Sequence, residues 1–167
     1  AAYESHVRML DGQSKQDGLI AKPAQTHPTG KPAPAQAALQ SFEVDHLGRE
    51  QPPVLKGDDL SIRITATCHD EMPPSIGVML EQVNGPGITS VVTHVDGVLP
   101  RLIGDALWEI RITFDKLPLH SGEYVLSGFL FDSQGMVVYD YWKECQVFTF
   151  ASAIPTPGLV RIPYTWA

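Results

Sequence analysis

"SGEYVLSGFLFDSQGMVVYDYW", residues 121–142, alternates its side chains along two runs separated by Asp132-Ser133-Gln134-Gly135. Such alternation on both sides of a glycine-bearing turn predicts an antiparallel hairpin, with Gly135 supplying the positive φ. Pairing Phe131 with Met136 then sets the register. One face carries Leu126, Gly128 and Leu130 with Val137, Tyr139 and Tyr141. The other carries Val125, Ser127 and Phe129 with Val138, Asp140 and Trp142. Dehydrating an unpaired carboxylate is costly, so the Asp140 face is expected to be the wet one. It would then offer an indole, a phenyl ring, a hydroxyl and a carboxylate together, which is the usual chemistry of a carbohydrate site. Cover of the same rings by another strand or a second subunit is the competing reading.

The same period extends through the chain from residue 39. In "DLSIRITATC" the residues Leu60, Ile62, Ile64 and Ala66 point one way, and Ser61, Arg63, Thr65 and Thr67 the other. In "ALWEIRITF" Trp108, Ile110, Ile112 and Phe114 are expected inward, with Glu109, Arg111 and Thr113 outward. "SIGVMLEQV" and "GITSVVTHV" flank the turn signal Asn84-Gly85-Pro86-Gly87. "LQSFEVDHL", "QVFTF" and "GLVRIPYTW" complete the strands, and no long segment has helical spacing. With 14 Gly and 14 Pro in 167 residues, the fold class expected is all-β. The architecture expected is an antiparallel β-sandwich of Ig-like or jelly-roll type behind an N-terminal linker. "LPLHSGEY" supplies a structural landmark of such sandwiches, a corner tyrosine at Tyr124 whose hydroxyl bonds back to nearby backbone.

A formal charge of −7 with 12 Lys+Arg argues against nucleic acid or an anionic membrane as partner. No apolar run is long enough to span a bilayer, and "AAYESHVRML" lacks the apolar core of a signal peptide. Cys68 falls in phase with buried residues and Cys145 out of phase with Phe148 and Phe150, so two free thiols and a reducing compartment are expected. No phosphate loop, GxSxG elbow or HExxH motif is present. "CHDE", residues 68–71, alternates on a strand and cannot surround one ion, so no metal and no cofactor are expected. Glu109, Glu123 and Asp140 read as solvated carboxylates of a sheet face rather than a glycosidase pair, and no enzymatic activity is expected. His94, between a strand and a turn, is placed where ligand-contacting loops tend to lie. Arg63 and Arg111, outward on their strands, are the cations available to an acidic ligand group. The candidate carbohydrate-binding residues are thus Ser127, Phe129, Asp140, Trp142, Arg111, Arg63 and His94.

The order "LKGDDLSIRI", "LPLHSGEYVLSGFLFDSQGMVVYD", "QVFTF" resembles the C-terminal domain of Wzt-type ATPase subunits of the bacterial ABC transporters that export O-antigen polysaccharide. The features are a glycine before an alternating strand, an L-x-x-G-x-Y corner, an apolar hairpin and a terminal F-x-F strand, over residues 39–150, with "GLVRIPYTW" similar to the family's last strand. The prolines at 23, 28, 32 and 34 make residues 11–38 an extended Pro-rich linker, with a disordered tail as the alternative. The resemblance implies residues 1–10 as the tail of an upstream nucleotide-binding domain and 39–167 as the carbohydrate-binding sandwich. It further implies a cytoplasmic place at the inner face of the inner membrane, beside the upstream ATPase domain and the membrane subunit. The implied ligand is the modified non-reducing end of an O-polysaccharide chain. A homodimer through the C-terminal strand, residues 158–166, is implied too. Pro155 and Pro157 stiffen the connection before that strand and disfavour a tight return onto the same subunit. A structural dimerisation appendage and a secreted carbohydrate-binding module are the alternatives.

Overall fold

The computed structural model describes residues 37–166. The readings of residues 1–10 and of most of the linker fall outside that range. Eight strands and one short helical turn follow in order: β1 Ala37–Val44, β2 Leu60–Cys68, β3 Ser75–Gln82, β4 Gly87–Val92, α1 Thr93–Asp96, β5 Arg101–Gly104, β6 Leu107–Phe114, β7 Gly122–Phe131 and β8 Val138–Phe150. They form two four-stranded antiparallel sheets, β1-β2-β6-β5 and β4-β3-β7-β8. This is the sandwich the alternation predicts. Both sheets hide one face, so the period of two recurs in strand after strand.

The core is filled by the predicted positions. Leu60, Ile62, Ile64 and Ala66 of β2 are buried against Ile76, Val78 and Leu80 of β3 and Leu126, Leu130 and Phe148 of β7 and β8. Each large side chain so buried is worth about 1.5–3 kcal/mol over leaving it in water. Gly128 makes room for the aromatic crossing from the other sheet: a Cβ there would lie 3.0 Å from the Phe42 ring. Tyr124 is 1% exposed and donates its hydroxyl hydrogen to the His120 carbonyl at 2.6 Å. The corner therefore staples the entry of β7 to the turn before it. Tyr124→Phe leaves that buried carbonyl unpaired and is expected to cost about 1–2 kcal/mol. Thermal unfolding checks this, since the corresponding loss is roughly 4 °C or more in a domain of this size.

The hairpin register differs from the one expected. The turn is closed by hydrogen bonds from Asp132 N–H to the Val137 carbonyl and from Gly135 N–H to the Asp132 carbonyl. The Asp132 carboxylate also accepts the N–H groups of Met136 and Val137, at 2.6 and 2.9 Å. Phe131 consequently pairs with Val138 rather than Met136. Leu130 then pairs with Asp140, so Tyr139 is one extra residue on β8. A single inserted residue exchanges the two faces of everything beyond it. Asp140 and Trp142 therefore turn toward the inside, opposite Leu130 and Gly128, while Tyr141 turns outward opposite Phe129. Trp142 is half-buried against the core. The Asp140 carboxylate accepts the Leu39 N–H at 2.9 Å and so ties β8 to the start of β1. Its dehydration is offset by that bond, which is the pairing that a reading of the hairpin alone leaves out.

The end of the chain also departs from expectation. Val160 bridges to Leu119 of the same chain, flanked by bonds from His120 N–H to the Leu159 carbonyl and from Arg161 N–H to the Pro118 carbonyl. Residues 161–166 continue without a ladder partner. The two cysteines are free, Cys68 buried and Cys145 exposed. Among the described residues no helix is long and apolar enough to cross a membrane.

Candidate functional site

The outer face of sheet β4-β3-β7-β8 carries a row of rings. Phe129 and Phe131 share a side of β7, two residues apart, and are nearly parallel at 10° with centroids 5.9 Å apart. Tyr141 stacks on Phe129 from β8, at 4.5 Å and 12°. Parallel rings at that separation must be offset, which is a favoured aromatic geometry. At the far end His94 meets Phe131 edge-on at 6.4 Å and 69°. Tyr141 remains 43% exposed, so one end of the stack is open to solvent and brings a phenol hydroxyl with it. β3 clears the ground alongside: Gly77, opposite Phe129, adds no side chain between β4 and the rings.

His94 is held by hydrogen bonds. Its Nδ1 lies 2.7 Å from the Ser75 hydroxyl, and Ser75 Oγ accepts the His94 N–H at 3.3 Å. The imidazole packs on the hairpin turn, where Gly135 has φ 70° and a Cβ would fall 2.4 Å from Nε2. Glycine is required there twice, by the backbone angle and by the ring above it. The row thus ends in a fixed imidazole at one end and a phenol at the other. Rings that cover C–H surfaces, flanked by donors and acceptors, suit a polyhydroxylated ligand.

The expected residues are divided by this arrangement. Phe129 and His94 belong to the row. Ser127 is fully buried on the same side, where a second bulge of β8 passes over it and the Glu144 N–H donates to its hydroxyl at 2.9 Å. Asp140 and Trp142 face inward. Arg63 and Arg111 lie opposite one another on the outer side of the other sheet, away from the rings. Phe131 and Tyr141 are the members that the sequence reading did not select. Phe131 had the signal, since it alternates in phase with Phe129. Tyr141 had none, because the bulge at Tyr139 reverses its side.

On the outer side of β1-β2-β6-β5, Glu109 departs from the solvated carboxylate expected. It is 5% exposed, gripped by Arg63 Nε on one oxygen and by Arg101 at 2.6 Å on the other. Arg63 also reaches Glu43 at 3.3 Å. The two guanidiniums hold the Glu109 carboxyl below its ordinary range through hydrogen bonds and charge, against the opposing effect of burial. A depressed pKa contributes stability above the unfolded value of about 4.3, and that stability is lost as pH falls through the lower folded value. Stability is therefore expected to fall more steeply below pH ~4.3 in the parent than in Glu109→Gln. Urea midpoints at stepped pH check it; parallel curves would mean the pair adds nothing.

A family model described as the Wzt C-terminal domain matches residues 36–162. A solved structure described as the "Crystal structure of the C-terminal domain of wzt" has the same fold, with a TM-score of 0.63 at 13% identity. The alignment covers 80% of this chain and 84% of that one. No curated protein matches the chain.

Proposed function

The chain belongs to the Wzt C-terminal domain family, and from that premise we propose that it serves an O-antigen ABC transporter as its polysaccharide-recognition domain, without catalysis. Its ligand is the modified non-reducing end of the O-polysaccharide, bound on the outer face of sheet β4-β3-β7-β8. The observation that carries this reading is the Phe131–Phe129–Tyr141 stack, open at Tyr141 and closed by His94. Exposed aromatic patches mark interaction sites, and ring faces with hydroxyl and imidazole partners fit sugars better than they fit a dry protein interface. The domain works on the cytoplasmic side, next to the ATPase domain and membrane subunit of the transporter.

Calorimetric titration with capped and uncapped O-polysaccharide tests the reading. Saturable heat with the capped chain, lost when the end group is removed, is the expected result. Equal binding of both chains would overturn end recognition, and no binding of either would overturn the carbohydrate reading. A dimerisation role has its own support in the C-terminal segment, where Ile162, Tyr164 and Trp166 stand exposed without a partner strand. The two roles are compatible, since that segment and the ring stack are different parts of the chain.

A further inference from the structure

Along the β4 side of the sandwich the two sheets leave a cleft of about 240 Å³. Ile76, Val78 and Val91 line it from one sheet and Ile110 and Ile112 from the other. A shallower hollow of about 470 Å³ continues from it, sharing Val98, Ile110 and Arg111. The lining is mostly aliphatic, with Asp96 and Arg111 as its charged members, and its buried polar group is already engaged: the Thr93 hydroxyl accepts the Ile76 N–H at 3.0 Å and lies 3.2 Å from Ser75 Oγ.

Arg111 stands where the two hollows meet. It faces Arg63 directly across the β2–β6 ladder, and like charges so placed are destabilising. Arg63 and Arg101 are both neutralised through Glu109 and Glu43. Arg111 is in no ion pair or side-chain hydrogen bond among the described residues, and Asp96 on the same lining is not within pairing distance. A chain with a net charge of −7 thus keeps an uncompensated guanidinium beside a second one, at the mouth of an apolar cleft. A locally unfavourable charge that the fold does not neutralise is expected where a ligand neutralises it.

We infer that this cleft is a second binding site, for a small aliphatic anion whose carbon chain enters between the sheets and whose charged head pairs with Arg111. The cleft alone is smaller than the usual ligand pocket of about 300–1,000 Å³, which limits it to a short carbon chain, and a guanidinium holds a carboxylate or phosphate by two parallel hydrogen bonds. The site is separate from the ring stack, and the inference does not depend on the glycan reading.

Methyl NMR of the full chain titrated with hexanoate, and with hexanol as the neutral analogue, tests it. Saturable shifts are expected at Ile76, Val78, Val91, Ile110 and Ile112. Arg111→Gln should weaken hexanoate about tenfold and leave hexanol unchanged, while an unaltered amide spectrum shows that this exposed substitution keeps the fold. Absence of saturable shifts at millimolar hexanoate would overturn the site. Equal hexanoate affinity in parent and Arg111→Gln would overturn the role of the guanidinium. Displacement of hexanoate by O-polysaccharide would overturn its separateness.

Discussion

Tyr141→Ala is expected to reduce affinity for the capped O-polysaccharide by about 30- to 100-fold, equivalent to about 2–3 kcal/mol for loss of a central aromatic contact. Tyr141 is the ring of the stack with an open side, 43% exposed and packed on Phe129 rather than into the sandwich interior. Its truncation removes contact surface and a hydroxyl without emptying core volume, so the melting temperature should stay near that of the parent. Tyr141→Phe separates the two contributions. It keeps the ring and should lose under tenfold, the worth of one exchanged hydrogen bond. Trp142→Ala supplies the opposite control. Trp142 is half-buried against the core beside Gly128, so its loss should lower stability and leave affinity nearly unchanged. Calorimetry and thermal unfolding on the three variants read both quantities. Parental affinity in Tyr141→Ala would place the polysaccharide elsewhere than on this face.

That pair of neighbours also shows where a sequence stops being readable. β2 was legible throughout, because Leu60, Ile62, Ile64 and Ala66 alternate without interruption and every one is buried. β7 was legible for the same reason, and the corner at Tyr124 because its hydroxyl acts locally, four residues back. β8 was legible as a strand but not as a pair of faces. Its sides depend on one extra residue at Tyr139 and on a second bulge opposite Ser127, where Glu144 takes φ 49°. Neither has a glycine to announce it. Distant partners were equally hidden. Asp140 lies inward because Leu39 offers an N–H from about a hundred residues away, and Glu109 is covered because Arg63 and Arg101 converge on it from two strands. Alternation reports which residues share a side of one strand. It carries no information on how far two strands have slipped, or on what reaches over from elsewhere.

Removal of residues 162–167 is expected to convert a homodimer into a monomer, with the sandwich intact. Residues 159–161 are fastened to their own chain by the Leu119–Val160 bridge and its two flanking hydrogen bonds, so that attachment survives the truncation. Beyond it residues 162–166 pair with no strand among the described residues. Ile162, Tyr164 and Trp166 alternate on one side and are 75%, 57% and 91% exposed. The contacts that order them are within the segment, Arg161 over the Tyr164 ring at 5.2 Å and Tyr164 against Trp166 at 5.9 Å. Three large apolar side chains in water would recover about 1.5–3 kcal/mol each on burial, and unpaired backbone groups beside them seek a sheet edge. Among the described residues the edge strands are β1 and β5 in one sheet and β4 and β8 in the other, with β8 already bridged at Thr149 by Val54. A second copy offers the same edges to this copy's segment as it receives, so reciprocal pairing closes into a two-fold dimer and leaves neither segment over. Light scattering across a range of concentrations decides the point. A mass halved by the truncation agrees with exchange of the segment. A dimer that persists without it would locate the interface elsewhere, and a parent chain that is monomeric at every concentration would remove the need for one.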